Sequence, residues 1–379
     1  APIQNAGIPL SRSKTSVPSV LSVPSVARPI AYPMPVSPLI LALETSCDES
    51  AVALCDGSGR ILGAAISSQI PDHQPYGGVV PELASRNHLI RIRPLILQVL
   101  TEAGVTLPQI DAFAATAGPG LASSLLIGNT ITKSLALSCG KPYLAINHLE
   151  GHLLSPFLGK PEGIQPGVAL IVSGGHTLLL HLRGSGDYPL LGRTRDDAAG
   201  EAFDKAAKLL GLGYPGGPAI EALARDGDSK AVKLPRPLVG SGEPHFSFAG
   251  LKGAVQREVA GGKHQPADVA ASFQQAVIDC MVDRTRVAMS ATDAPTLVVA
   301  GGVAANGPLR AALADLAASE GRGFSVPPAW LCTDNAAMIA WAGAERLGAG
   351  LIDGLDVVAR PRWPLDPHAE AARGAGVKA

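Results

Sequence analysis

The chain has 379 residues, 46% hydrophobic and 17% charged, with Gly 43 and Pro 32; this is enough apolar material for sizeable cores in one large or two ordinary domains. With only 4% aromatic residues, the cores must be built mainly from Ala, Val, Leu and Ile, and a formal net charge of −1 excludes a globally basic nucleic-acid binder. No apolar run reaches the roughly 18 residues of a membrane span, the N-terminus lacks the apolar core of a signal peptide, and Cys47, Cys55, Cys139, Cys280 and Cys332 are odd in number without a Cys-x-x-Cys pair, which points to free thiols in a reducing, cytoplasmic compartment.

Residues 1–38 hold eight prolines and seven serines and no acidic residue, with Arg12, Lys14 and Arg28 as the only charges. Such a stretch cannot pack a core and is expected to be an unstructured arm. Its prolines argue against the amphipathic helix of a transit peptide.

The folded part is expected from residue 39. Residues 39–44 form a short apolar run that reads as a buried strand. A polar turn, Thr45 to Ser50, leads to a second strand over 51–55, and Asp56-Gly57-Ser58-Gly59 is a hairpin signal before a third strand over 61–67. A long helix is predicted over 79–103, with Pro81 near its start and Gly104 after its end. Its Arg86, His88, Arg91 and Arg93 suggest a basic surface. A strand over 112–116, a helix over 121–138 and a strand over 143–146 then lead into a helix that carries His148 and His152.

The pattern recurs. Strands are predicted over 168–172, 177–182 and 190–194, with a Ser173-Gly174-Gly175-His176 turn between the first two. Helices follow over 200–210 and 268–290, a strand over 296–300, a glycine turn from Gly301 to Asn306, a helix over 308–318, a strand over 324–326 and a last helix over 334–347. A duplicated α/β unit implies two lobes with a cleft between them. Residues 211–262, rich in Gly and Pro, interrupt the second copy and are expected to carry substrate contacts or a partner surface. The expected division is an arm 1–38, a first lobe 39–146 completed by about 336–366, a second lobe 147–335 and a flexible tail 367–379.

Several motifs bear on chemistry. Two histidines four apart on a helix share one face, with Cβ atoms about 5–6 Å apart, which suits two imidazoles on one metal ion. The same spacing also fits two partly exposed helix histidines. It is not the zincin pattern, because Leu149 stands where His-Glu-x-x-His needs its glutamate. Glycine turns that follow buried strands, at Ser173-Gly174-Gly175 and Gly301-Gly302, can bring backbone N–H groups to a phosphate, or can be plain tight turns. Neither matches Walker A or Gly-x-Gly-x-x-Gly. Acidic residues gather at Asp48-Glu49, at Asp196-Asp197 and at Asp334, which reads either as a helix cap or as a metal carboxylate. Two histidines with a carboxylate and open positions suit Fe(II), with Zn(II) as a substitute.

These stretches, taken together, resemble one family. They are Glu44 to Glu49, Tyr76 to Arg86, Gly118 to Leu121, Asn147 to His152, Val172 to His176, Asp196 to Leu210 and Tyr214 to Pro218. Further on come Phe246-Ser247-Phe248 before Gly250-Leu251-Lys252, Ala300 to Asn306 and Cys332 to Asn335. Over about 39–366 the chain is similar to the TsaD family of bacterial tRNA threonylcarbamoyladenosine synthase subunits, for which an older reading is a glycoprotein endopeptidase.

The resemblance implies an α/β fold of the actin-like, Hsp70-like class, made of two duplicated RNase H-like lobes. It implies transfer of a threonylcarbamoyl group from threonylcarbamoyl-AMP to N6 of the adenosine beside the anticodon, in tRNAs reading ANN codons. Carried over by position, His148, His152 and Asp334 hold the metal. Ile171, Val172, Ser173, Gly174, Gly175, Asp204, Gly217 and Asn306 contact the adenine-nucleotide substrate. Asp48 and Glu49 are candidates to accept the N6 proton. The implied partners are tRNA, the paralogue TsaB, the ATPase TsaE and a TsaC or Sua synthase. Asn147 stands where some members have histidine, and Ala305 where serine is frequent; neither holds a carried-over role. Two rival readings are a metallopeptidase, for which the chain lacks His-Glu-x-x-His, and a non-catalytic ATPase or chaperone of the same fold, which would not need the two histidines.

Overall fold

The computed structural model describes residues 37–369. The expected arm falls outside the described residues except for its last two, and the expected tail except for 367–369. The first half runs β1 (Ile40–Glu44), β2 (Glu49–Cys55), β3 (Ile61–Ser68), a short α1 (Ile70–His73), α2 (Pro81–Ala103), β4 (Ala112–Gly118), α3 (Ala122–Cys139), β5 (Tyr143–Asn147) and α4 (His148–Leu154). The second half runs β6 (Gly167–Val172), β7 (Thr177–Leu182), β8 (Leu190–Arg193), α5 (Ala199–Leu209), α6 (Gly216–Ala224), α7 (Ala249–Gly261), α8 (Pro266–Ser290), β9 (Thr296–Ala300), α9 (Gly307–Ser319), β10 (Gly323–Ser325), α10 (Ala329–Cys332) and α11 (Ala336–Gly348).

The duplication is strand for strand. One sheet has the order β3-β2-β1-β4-β5 and the other, read from its far edge, β8-β7-β6-β9-β10. In each, the first three strands form an antiparallel meander, and the fourth joins the first in parallel. Parallel pairing needs a helical crossover, which α2 supplies before β4 and the helices α5 to α8 supply before β9.

Strand alternation assigns the faces. In β1, Leu41 and Leu43 join α2 and α3, whereas Ile40 and Ala42 face α11. In β6, Val168, Leu170 and Val172 face α5, α8 and α9, whereas Ala169 and Ile171 face the inter-sheet layer. Both sheets are therefore covered on both faces, which is why their central strands read as unbroken apolar runs. Helices α4 and α11 lie between the sheets and share one core with residues of both. Gly151 permits this packing, since a Cβ there would stand 2.8 Å from the Ile339 Cδ1 atom.

One stretch gains elements and two expectations change. The stretch 211–262 carries α6 and α7. Pro215 precedes α6 as its cap residue; Pro is tolerated at a helix start, so punctuation here marks an entry. The basic face on α2 is smaller than its composition suggests. His88 is fully buried, with Nδ1 2.8 Å from Ser50 Oγ and Nε2 3.0 Å from the Cys47 carbonyl, while Arg91 pairs with Asp72 and Arg86 with Glu82. Lastly, α11 starts after Asn335, whose side chain accepts from the Met338 N–H at 2.9 Å, so Asn335 and not Asp334 is the cap.

Candidate metal centre and cleft

β5 ends at Asn147, whose side-chain oxygen accepts from the Leu149 N–H at 2.9 Å and starts α4. This puts His148 on the first residue of the helix and His152 one turn on, both buried between the sheets. Their rings meet edge to face, with centroids 4.7 Å apart. Asp334 arrives from the loop before α11. Its Oδ1 lies 3.1 Å from His152 Nε2 and 3.5 Å from His148 Nε2. One ligand atom from each of the three residues lies within 4.8 Å of the others.

The fit to a divalent ion is good on three counts. The donors are two imidazoles and one carboxylate, the set that suits Fe(II) and Zn(II). Asp334 is 182 positions from His152 in sequence, yet the three donors converge on one point. And His152 Nδ1, fully buried, has no hydrogen-bond partner, so its ring makes its polar contact only on the side that faces Asp334. Glu150 belongs elsewhere. It accepts from Tyr188 Oη at 3.0 Å and faces Arg346 at 3.6 Å, so it is not poised as the base of a metallopeptidase.

Charge in the centre is coupled. Burial disfavours a protonated His148, but the carboxylates of Asp334 and Glu44 outweigh it and push the imidazole up to about 9. Burial likewise opposes ionisation of Asp334, and the two histidines overcome it and hold this carboxyl below its usual range. A metal must therefore displace a proton from His148. Metal affinity is expected to rise about tenfold per pH unit between pH 7 and 8.5, because one proton leaves per ion bound. Competition with a chelator of known pH behaviour measures this; an affinity flat over that interval would show that His148 is already neutral at pH 7.

The Gly301 turn lies against the end of β6, and the charge of His176, in the β6–β7 turn, acts on Asp334. Ser173 closes the β6–β7 turn through its N–H to the His176 carbonyl at 2.8 Å, and its hydroxyl accepts from the His176 N–H at 3.2 Å. A Cβ placed on Gly174, Gly175 or Gly217 would meet nothing within 4 Å, so these glycines border open space that a ligand can enter. Gly301 differs: its φ is +96° and a Cβ would lie 2.5 Å from the Val172 carbonyl oxygen, so only glycine lets β9 turn against the end of β6. Asp204 Oδ1 accepts from the Gly216 N–H at 2.7 Å and so anchors the start of α6. Burial above all raises the Asp204 carboxyl, and the charges of Glu201 and Asp48 add to this. Asp48, from the loop between β1 and β2, thus bears on Asp204 of α5. Burial, followed by Asp48 and Asp334, pushes the Glu49 carboxyl up to about 9.

Other carried-over residues sit differently from a simple contact list. The side chains of Ile171 and Val172 are fully buried in the two cores, and their backbone pairs with β7 and, at Ile171, with β9, so they shape the turn that follows and do not themselves face a ligand. Asn306 caps α9 by accepting from the Leu309 N–H, and its amide donates to Glu221 and Gln274 at 3.1 and 2.9 Å. Asp196 holds the start of α7 through Ser247, Phe248 and Ala249, and Asp197 pairs with Lys205. Sequence reasoning gave no role to Glu44, Glu221 or Gln274. For Glu44 a signal was available, since a carboxylate that closes a fully buried strand needs partners.

Among the described residues no helix is long and apolar enough to cross a membrane. The chain is similar over 90% of its length to tRNA N6-adenosine threonylcarbamoyltransferases from Sphingopyxis alaskensis, 63% identical, and Novosphingobium aromaticivorans, 58% identical, in each case covering 99% of that protein. In fold it is similar to HypF from T. kodakarensis, with a TM-score of 0.59 at 13% identity, covering 83% of this chain and 49% of that one. The lobes are thus of the two-lobed actin-like class that the sequence resemblance implied. Residues 60–341 match the family model described as TsaD: tRNA N6-adenosine threonylcarbamoyltransferase. With that match and relatives this close over nearly its whole length, the chain belongs to the TsaD family.

Proposed function

We propose that this chain transfers the threonylcarbamoyl group of threonylcarbamoyl-AMP to N6 of the adenosine beside the anticodon of tRNAs reading ANN codons. The observation that carries the reading is the convergence of His148, His152 and Asp334 beside the open Gly174-Gly175 turn in a member of the TsaD family. The metal, Fe(II) in preference to Zn(II), is held by those three residues and, when bound, supplies a Lewis acid for the carbamoyl or phosphate oxygen. Backbone N–H groups of Gly174 and Gly175, which border open space, hold phosphate or a developing oxyanion. Asp204, Gly217 and Asn306 shape the nucleotide pocket, with Asn306 acting through its hold on Glu221 and Gln274. The amine attacks the carbamoyl carbon, AMP leaves, and the N6 proton passes to a carboxylate of the Asp48–Glu49 pair; Glu49 also holds the loop by accepting from the Ser68 hydroxyl.

The working division is a first lobe 39–146 with 336–366, and a second lobe 147–335. Partners follow from surface chemistry. On α2, Ile90 and Leu97 are 71% and 51% exposed, and on α3, Leu126 and Leu137 are 59% and 69% exposed. Each pair recurs on one helical face. This surface suits the paralogue TsaB, with TsaE as ATPase and a TsaC or Sua enzyme supplying threonylcarbamoyl-AMP. A tRNA substrate and five unpaired thiols fit the cytoplasm. The test is reconstitution with threonylcarbamoyl-AMP, unmodified tRNA and these partners, read as modified nucleoside by mass spectrometry. Modification that depends on this chain supports the reading; equal product without it overturns it.

A further inference from the structure

We propose that Glu44 is the positioning residue of the metal centre, holding the His148 ring so that Nε2 faces the ion. The inference rests on the assignment of His148, His152 and Asp334 as ligands.

Glu44 closes β1 and is 0% exposed. A carboxylate in that setting must be surrounded by donors, because burying it unpaired is strongly unfavourable. Three donors reach it from three elements. The Ser46 N–H donates to Oε1 at 2.5 Å, Thr116 Oγ1 from β4 donates to Oε2 at 2.5 Å, and His148 Nδ1 lies 3.1 Å from Oε2. An ionised carboxylate only accepts, so Nδ1 must carry its proton. Ser46 Oγ, 3.3 Å from the same nitrogen, is a second polar neighbour on that side. With the Nδ1 proton held by Glu44, Nε2 is the nitrogen that gives up its proton to a metal on the side of Asp334 and His152. The loop is itself fastened, since Thr45 Oγ1 donates to the Ser124 carbonyl of α3 at 2.9 Å. The first lobe thus sets the orientation of a ligand on α4, which no feature of α4 itself does. His152 has no equivalent, because its Nδ1 is unpartnered. Partners of this kind fix tautomer and ring orientation and raise ligand basicity.

The test is Glu44→Gln in the full chain. A glutamine amide keeps the shape but must place an N–H against either the Ser46 N–H or His148 Nδ1. The first is a donor–donor conflict, and the second selects the tautomer with its proton on Nε2, where the metal binds. The readouts are Co(II) and Zn(II) affinity by chelator competition, the visible spectrum of the Co(II) form, and thermal unfolding without metal. The expected result is affinity lowered about 10–100-fold and a shifted Co(II) spectrum. Wild-type affinity and spectrum in Glu44→Gln would overturn the inference, whatever happens to melting. Should Glu44→Gln fail to fold, Thr116→Val frees the same oxygen without touching the histidine. There a several-fold loss of Co(II) affinity supports positioning, and an unchanged affinity overturns it. Failure of the underlying assignment looks different: wild type would take up no Co(II), or His148→Ala would keep it.

Discussion

Replacing His148, His152 or Asp334 with alanine is expected to remove the bound divalent metal and lower transfer activity by about 10²–10³, the factor that several kcal/mol of lost charge stabilisation implies. Each residue supplies one of three converging ligand atoms, so no pair of the remaining two can hold an ion with comparable strength. The fold should survive in all three variants. His148 and His152 lie on a helix of seven residues packed by Leu149, Leu153 and Leu154 against α11 and the sheets, and those apolar contacts stay. Asp334 is the sharper case. Asn335 caps α11, so Asp334→Ala removes no cap. It should leave the unfolding midpoint of the metal-free chain within a few degrees of wild type, while metal content by mass spectrometry falls to background. Full metal occupancy in any of the three variants would remove the centre as described, and a lowered midpoint with metal retained in Asp334→Ala would assign that carboxylate to helix stability.

The double variant Ile90→Glu, Leu97→Glu is expected to abolish association with the paralogue TsaB, and with it multiple-turnover tRNA modification, while the isolated chain keeps its stability. Substitutions at exposed positions away from special features shift stability by about 0.5 kcal/mol or less. The helix is held from its other side by Ile92, Ile96 and Val99, all buried, each contributing about 1.5–3 kcal/mol. Two carboxylates placed in the centre of an apolar contact would instead be desolvated without partners, which is strongly unfavourable. The isolated chain is also expected to modify tRNA slowly or not at all. A net charge of −1 supplies no attractive field for a polyanion, and two of the arginines on α2 are already paired with carboxylates. Size-exclusion chromatography with the paralogue and a turnover count settle the point: co-elution of the double variant, or repeated turnover by this chain alone, would show that the apolar face of α2 is not the docking surface.

Much of this architecture was written locally. Central strands buried on both faces appear as apolar runs, so β1, β6 and β9 were legible, and the glycines after α2 and β9 marked real boundaries. The repeated order of strands and helices predicted two lobes, and the sheets repeat that order strand for strand. The i, i+4 spacing put His148 and His152 on one face because a helix has a fixed pitch. What lay beyond the sequence was every contact made at long range. The cap reading of Asp334 turned on one residue, since it is Asn335 that bonds the Met338 N–H. Likewise, His88 was read as surface charge because helix periodicity does not reveal a loop packed over it, and the Cys47 carbonyl comes from a separate strand end. Helices α6 and α7 were hidden in a Gly- and Pro-rich stretch, because those residues mark helix entries as well as loops. Glu44 and His148 are 104 positions apart; they meet because β1 and β5 flank β4 in one sheet and end side by side, which is decided by strand pairing across the chain and not by local propensity.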